Sequence, residues 1–152
     1  MGVLFGTEAR ARPAAEALRA RLDALKARYA GRRPVRVFVQ AGLEPIYTLN
    51  DASIVSDALR ACGGVNVFGQ APVVAPQVTL ESVLAARPEA VLAGVAGPQD
   101  TARNLAAWQA LGLPAARQGH VYGIDADALY RPGPRLLDAA ETLCADLDRL
   151  RR

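Results

Sequence analysis

The sequence predicts an α/β fold with a mostly parallel central sheet, and three observations carry that expectation. Short apolar runs bounded by Gly and Pro recur, at residues 35–40, 90–95 and 121–124. Amphipathic stretches of helical period stand between and after them. The run at 90–95, AVLAGV, is apolar throughout, as a strand covered on both faces must be. Strands that alternate with helices imply a Rossmann-like, three-layer arrangement. A chain of 152 residues suits one such domain.

The first expected helix covers residues 7–30. Leu18, Leu22, Leu25 and Tyr29 form one apolar stripe along it, and Gly31 ends it. Pro13 marks its first turn or kinks it. Even the shorter version is roughly 27 Å long and precedes the first strand, so it reads as a brace rather than a crossover. The strand VRVFVQ at 35–40 places Val35, Val37 and Val39 on one face and Arg36, Phe38 and Gln40 on the other. A loop follows at 41–50, turned by Gly42 and Pro45.

Residues 53–62 form a helix with Ile54, Val55, Ala58, Leu59 and Cys62 on one side, stopped by Gly63 and Gly64. A very short strand is expected at 65–68, then an extended segment, QAPVVAPQ, held open by Pro72 and Pro76. Thr79 caps a short helix that runs to residue 86, with Glu81 in the first turn where the helix dipole favours an acid. After the strand at 90–95, Gly97 and Pro98 turn the chain into a helix at 101–111. Residues 114–117 are expected at a strand edge, 121–124 as a strand, and 134–149 as the last helix. That helix carries Leu136, Ala140, Leu143, Leu147 and Leu150 on one face. The polar segment 125–132 before it is expected as a loop stiffened by Pro132 and Pro134, and Arg135 as a partner of Asp138 or of a neighbouring helix.

The net charge of +3 comes largely from Arg residues near the two ends. They share the first helix with Glu8, Glu16 and Asp23 and lack interleaved aromatics, which argues for a solvated face rather than nucleic-acid binding. No stretch has the ~18 uninterrupted apolar residues of a membrane span, and MGVLFGTEARAR does not read as a signal peptide. His120 stands alone, with no second His for a metal pair or a catalytic dyad, and reads as a turn or strand-edge residue. Phosphate-loop and nucleophile-elbow motifs do not occur. Asp125 and Asp127 lie too close together in one segment to argue for acid–base chemistry. No catalytic or metal-binding set is therefore expected.

In open parallel sheets, ligands sit beyond the carboxyl ends of the strands. The segments to search are 41–50, 96–100 and 125–132, which supply Tyr47, Asp127 and Arg131. One ring with a few hydrogen-bonding groups suits a large, flat, polar ligand. Cys62 and Cys144 fall on apolar helix faces. On the residues alone they are either buried free thiols or a disulfide, and both readings stay open.

Three stretches carry a resemblance: VRVFVQAGLEPIYTLNDASIVSDALRACGGVNVFG, VVAPQVTLESVLAARPEAVL and YGIDADALYRPGPRLLDAAETLCADL. Together they resemble the C-terminal lobe of the periplasmic vitamin B12-binding proteins of bacterial ABC importers, a class of two-lobed solute-binding proteins with a helical backbone. The resemblance implies an interlobe helix at 1–33 and a solute-binding lobe at 34–152, with an N-terminal lobe outside this chain. It implies a protein that is not an enzyme, that binds cobalamin non-covalently in an interlobe cleft, and that delivers it to a membrane permease from the periplasm. Cys62 and Cys144 match the family's disulfide pair. Tyr47, Asp127, Ala128, Leu129, Tyr130 and Arg131 match ligand-contacting positions, and Glu81 matches a glutamate that docks on the permease. Ala41, Ala75 and Ala128 stand where the family's pattern has rings. A siderophore or haem binder is the neighbouring alternative, and an intracellular Rossmann-like enzyme or interaction module is the alternative of another class. With one lobe alone, Leu18, Leu22 and Leu25 are expected to expose an apolar stripe or to mediate self-association.

Overall fold

The computed structural model describes residues 8–130 and 134–151, with the side chains of 16–128 and 134–151. Its elements follow in chain order as α1 (Glu8–Tyr29), β1 (Val35–Gln40), β2 (Gly42–Leu43), β3 (Ile46–Tyr47), α2 (Ile54–Ala61), β4 (Gly64–Asn66) and α3 (Leu80–Ala86). They continue as β5 (Ala90–Val95), α4 (Pro98–Ala110), α5 (Pro114–Arg117), β6 (Val121–Asp125), α6 (Ala126–Tyr130) and α7 (Pro134–Arg151). The main sheet is parallel throughout, in the order β4-β1-β5-β6.

Alternation along β1 sorts the core into two. Val35, Val37 and Val39 face Leu59, Leu143 and Leu147 of α2 and α7, while Phe38 faces Trp108 and Leu113 on the other side. Three layers result, with α1, α2 and α7 on one face and α3, α4 and α5 on the other. Cys62 and Cys144 are joined as a disulfide, with Cα atoms 4.7 Å apart and no exposure. The bridge ties the end of α2 to the middle of α7.

Several expectations change. The stripe on α1 is not laid open: Leu25 and Tyr29 are buried, Leu22 packs against the same core and Leu18 is half-buried. Arg21 further clips α1 to α7 through Asp138 (2.8 Å) and Glu141 (2.9 Å). Helix α7 therefore supplies the surface that α1 covers. Residues 114–117 are helical, not a strand edge. Pro114 sits in the first turn, where its missing N–H costs nothing, and the Leu113 carbonyl accepts from the Ala116 and Arg117 amides. Helix α4 starts at Pro98 rather than Thr101 for the same reason, with Gly97 as its cap. The fourth strand is shifted back to Gly64–Asn66, where it pairs with Val35–Val37 of β1, and Gly64 packs close on Leu59 and Leu147.

Candidate functional site

Helix α2, which follows β1, packs on one face of the sheet, and α4, which follows β5, packs on the other. The loops at the carboxyl ends of these adjacent strands therefore diverge and open a crevice, as expected at a switch point. Gln40 is the last residue of β1 and is buried. Its amide accepts from the Trp108 indole N–H (2.6 Å) and donates to Asn104 (3.0 Å), which pins α4 to β1. Sequence reading placed Gln40 on the right face but attached no role to it. An alternating polar residue at a strand end is a weak signal.

The segment after β1 is a hairpin, not a plain loop. β2 and β3 pair antiparallel around a cis Glu44–Pro45 peptide, with Gly42 opposite Tyr47. Leu43 and Ile46 point inward against the Phe38–Trp108 core, so Tyr47 points out and is 38% exposed. A buried polar network holds the base of this hairpin. Asn66 donates to the Leu49 carbonyl and to Ser56, Ser56 donates to the Asn50 carbonyl, and Asn50 donates to the Ala71 carbonyl. Every link is a satisfied, largely buried hydrogen bond, which favours one hairpin conformation.

At the far end of the same edge, residues 126–130 form helix α6 where a loop was expected. Asp125 accounts for the difference, since its Oδ1 accepts from the Asp127 amide (2.9 Å) and starts the turn. Its Oδ2 accepts from Arg135 (3.0 Å), so Arg135 pairs with Asp125 and not with Asp138, which belongs to Arg21. Asp127 is exposed on α6. Ala128 is 7% exposed and packs in the α2–α7 core, so its side chain faces away from solvent. Leu129 and Tyr130 are described only as backbone of α6, and Arg131 lies outside the described residues.

The Tyr47 hairpin and α6 thus flank one edge from β1 and β6, which are separated by β5. At about 4.8 Å per strand, β1 and β6 themselves stand about 10 Å apart. A hollow of about 550 Å³ opens where the end of β5, the first turns of α4 and β6 meet, lined by Val95, Gly97, Thr101, Gly123 and Asp125. A somewhat larger hollow of about 640 Å³ opens at the opposite pole, among Arg33, Arg87, Glu89 and His120. Glu89 is engaged there. Burial alone would raise its carboxyl, but the Arg36 amide and the Arg33 guanidinium outweigh burial and hold it below the usual carboxylate range. Glu81 is exposed in the first turn of α3, and Thr79 caps that helix through the Ser82 amide (3.1 Å). Among the described residues no cluster of His, Cys, Asp and Glu could hold a metal ion.

Residues 1–128 match a family model described as periplasmic binding protein. The chain belongs to the periplasmic binding protein family. Within that family it is 38% identical over 134 residues to the vitamin B12-binding protein of Vibrio cholerae, covering 88% of this chain and 48% of that protein. The crystal structure of the periplasmic vitamin B12 binding protein BtuF of Vibrio cholerae superimposes with a TM-score of 0.80 at 36% identity, over 93% of this chain and 55% of that one. The periplasmic haem-binding protein RhuT from Roseiflexus superimposes with a TM-score of 0.84 at 22% identity, over 99% and 60% of the two chains, which is a likeness of fold. The chain spans about half the length of the curated relatives it matches.

Proposed function

We propose that this chain is the C-terminal lobe of the binding component of a bacterial ABC importer, and that its carboxyl edge forms one wall of a cleft for a corrinoid. The observation that carries the reading is the exposed ring of Tyr47, held out at the switch-point edge of a chain 38% identical to a vitamin B12-binding protein. Tyr47 takes the flat face of the ligand, and Asp127, on α6 after β6, takes a polar group at its rim. Leu129, Tyr130 and Arg131 are further candidate contacts through their match to the family's ligand-contacting positions, while Ala128 packs in the core beneath α6. Helix α1 leads from this lobe to the first one, and Glu81 at the start of α3 docks on the permease in the membrane. Binding is non-covalent, the ligand leaves unchanged, and the protein works in the periplasm.

Absorbance titration with cyanocobalamin tests the reading. It is run on the 152-residue chain and on the chain joined to the N-terminal half of the Vibrio cholerae relative. Saturable binding is expected in the joined protein, and Tyr47→Ala should weaken it about tenfold, the loss of one ring contact worth about 1.4 kcal/mol. Absence of cobalamin binding in both formats overturns the reading, and binding of haem or a ferric siderophore in its place would select the neighbouring ligand class.

A further inference from the structure

An extended segment adds a third member to the hairpin. Residues 74–78 run antiparallel beside β3, through hydrogen bonds from the Val78 amide to the Ile46 carbonyl (2.9 Å), the Thr48 amide to the Pro76 carbonyl (3.1 Å) and the Asn50 amide to the Val74 carbonyl (2.8 Å). Tyr47 lies opposite Gly42 on one side and opposite Gln77 on the other. Gly42, Tyr47 and Gln77 therefore form one cross-strand row.

Side-chain alternation fixes the direction of that row. Leu43, Ile46 and Val78, each one residue away from a row member, all pack inward against the Phe38–Trp108 core. The row then faces out, and both Tyr47 and Gln77 are exposed. The Tyr47 ring is near Gly42, where an added Cβ would come within 3.5 Å of Tyr47 Cδ2. The ring thus reaches the glycine side of the row, and Gln77 is exposed on the other side. Opposed residues on such a ladder have Cβ atoms about 5 Å apart. Ala75, two residues before Gln77 and exposed, adds no bulk beside it.

We infer that Gln77 is a ligand contact and a specificity determinant, which reads a neutral amide at the rim of a flat ligand seated on Tyr47. This rests on the corrinoid reading above. The chemistry follows from the side chain. An amide both donates and accepts, so it pairs reciprocally with another amide, whereas a carboxylate offers only acceptors and leaves the Gln77 carbonyl unmatched. The rim of a corrinoid carries amides, while that of haem carries carboxylates. The ladder holds Gln77 beside the ring before ligand arrives, which lowers the ordering cost of the contact.

The test uses cyanocobalamin and its rim monocarboxylic acids, in which one amide has been hydrolysed, titrated against the joined two-lobe protein and its Gln77→Ala and Tyr47→Ala variants. The parent should bind cyanocobalamin about tenfold more tightly than at least one monoacid. Gln77→Ala should lose about tenfold for cyanocobalamin and no longer distinguish that acid from it, with an unchanged thermal midpoint. Tyr47→Ala should weaken all ligands together and keep the preference. If Gln77→Ala binds cyanocobalamin like the parent, or loses amide and acids equally, this inference fails while the corrinoid reading stands. If neither the parent nor any variant binds a corrinoid, both fail.

Discussion

Asp146 shows how burial acts on a single side chain. It lies on α7 at 8% exposure, and burial raises its carboxyl above the ordinary range, with only partial offset from Arg149. The sign of the consequence follows from linkage. The folded-state pKa exceeds the unfolded one, so at neutral pH the charged form weakens the native state. That penalty disappears as pH falls through the raised pKa, where the native protein takes up the proton first. Asp146→Asn should therefore raise the urea midpoint at pH 7, and the gain should shrink toward zero as pH approaches the ordinary carboxylate range. The Arg149 pair it removes is solvent-facing on the arginine side and adds little. An unchanged or lower midpoint at pH 7 would contradict the account. Glu89 acts in the opposite direction, since its depressed carboxyl lends stability that is lost as pH falls below the usual carboxylate range.

At the scale of elements, Gly123 sets how closely α4 lies on β6. A Cβ there would meet Thr101 Oγ1 at 2.0 Å and Val95 Cγ2 at 2.9 Å. Thr101 is β-branched and short, so it cannot swing aside as a long side chain would. Gly123→Ala should cost about 1–3 kcal/mol by overpacking, read from chemical denaturation. Adding Thr101→Ala should recover most of that loss, and a Gly123→Ala protein as stable as the parent would overturn the packing argument. The same contact shapes the hollow at the carboxyl edge, because Thr101 and Gly123 both line it. The short helices teach a related lesson. Both α5 and α6 begin where a local acceptor was available, the Leu113 carbonyl and the Asp125 carboxylate, and that choice depends on where the preceding residue points.

Across the whole molecule, the disulfide links residues 82 apart in sequence and clamps α2 to α7 on one face of the sheet. In the chain-entropy model a loop of this length contributes about 4–5 kcal/mol. Replacing both Cys62 and Cys144 by Ala should lower unfolding free energy by roughly that amount, and thiol titration of the denatured parent without reductant should find no free thiol. A loss below about 1 kcal/mol would mean that α1, α2 and α7 hold this face without the bridge. The clamp matters for the edge as well, because α2 carries Ser56 beneath the Tyr47 hairpin and α7 follows α6.

The alternation of Val35, Val37 and Val39 with Phe38, the unbroken run at 90–95, the helix stops at Gly31 and Gly63, and the Thr79 cap were all legible in the sequence. These signals are local, and local periodicity and capping are properties of the chain itself. The resemblance to periplasmic binding proteins was legible too, through motifs near Cys62, Glu81 and Cys144. Only the tertiary structure decided the rest. It placed Arg135 on Asp125 and turned Ala128 into the core. It covered Leu25 with α7 and set Gln77 beside Tyr47 across a ladder. In each case the deciding partner is remote in sequence or depends on a side-chain direction, and periodicity carries information about neither.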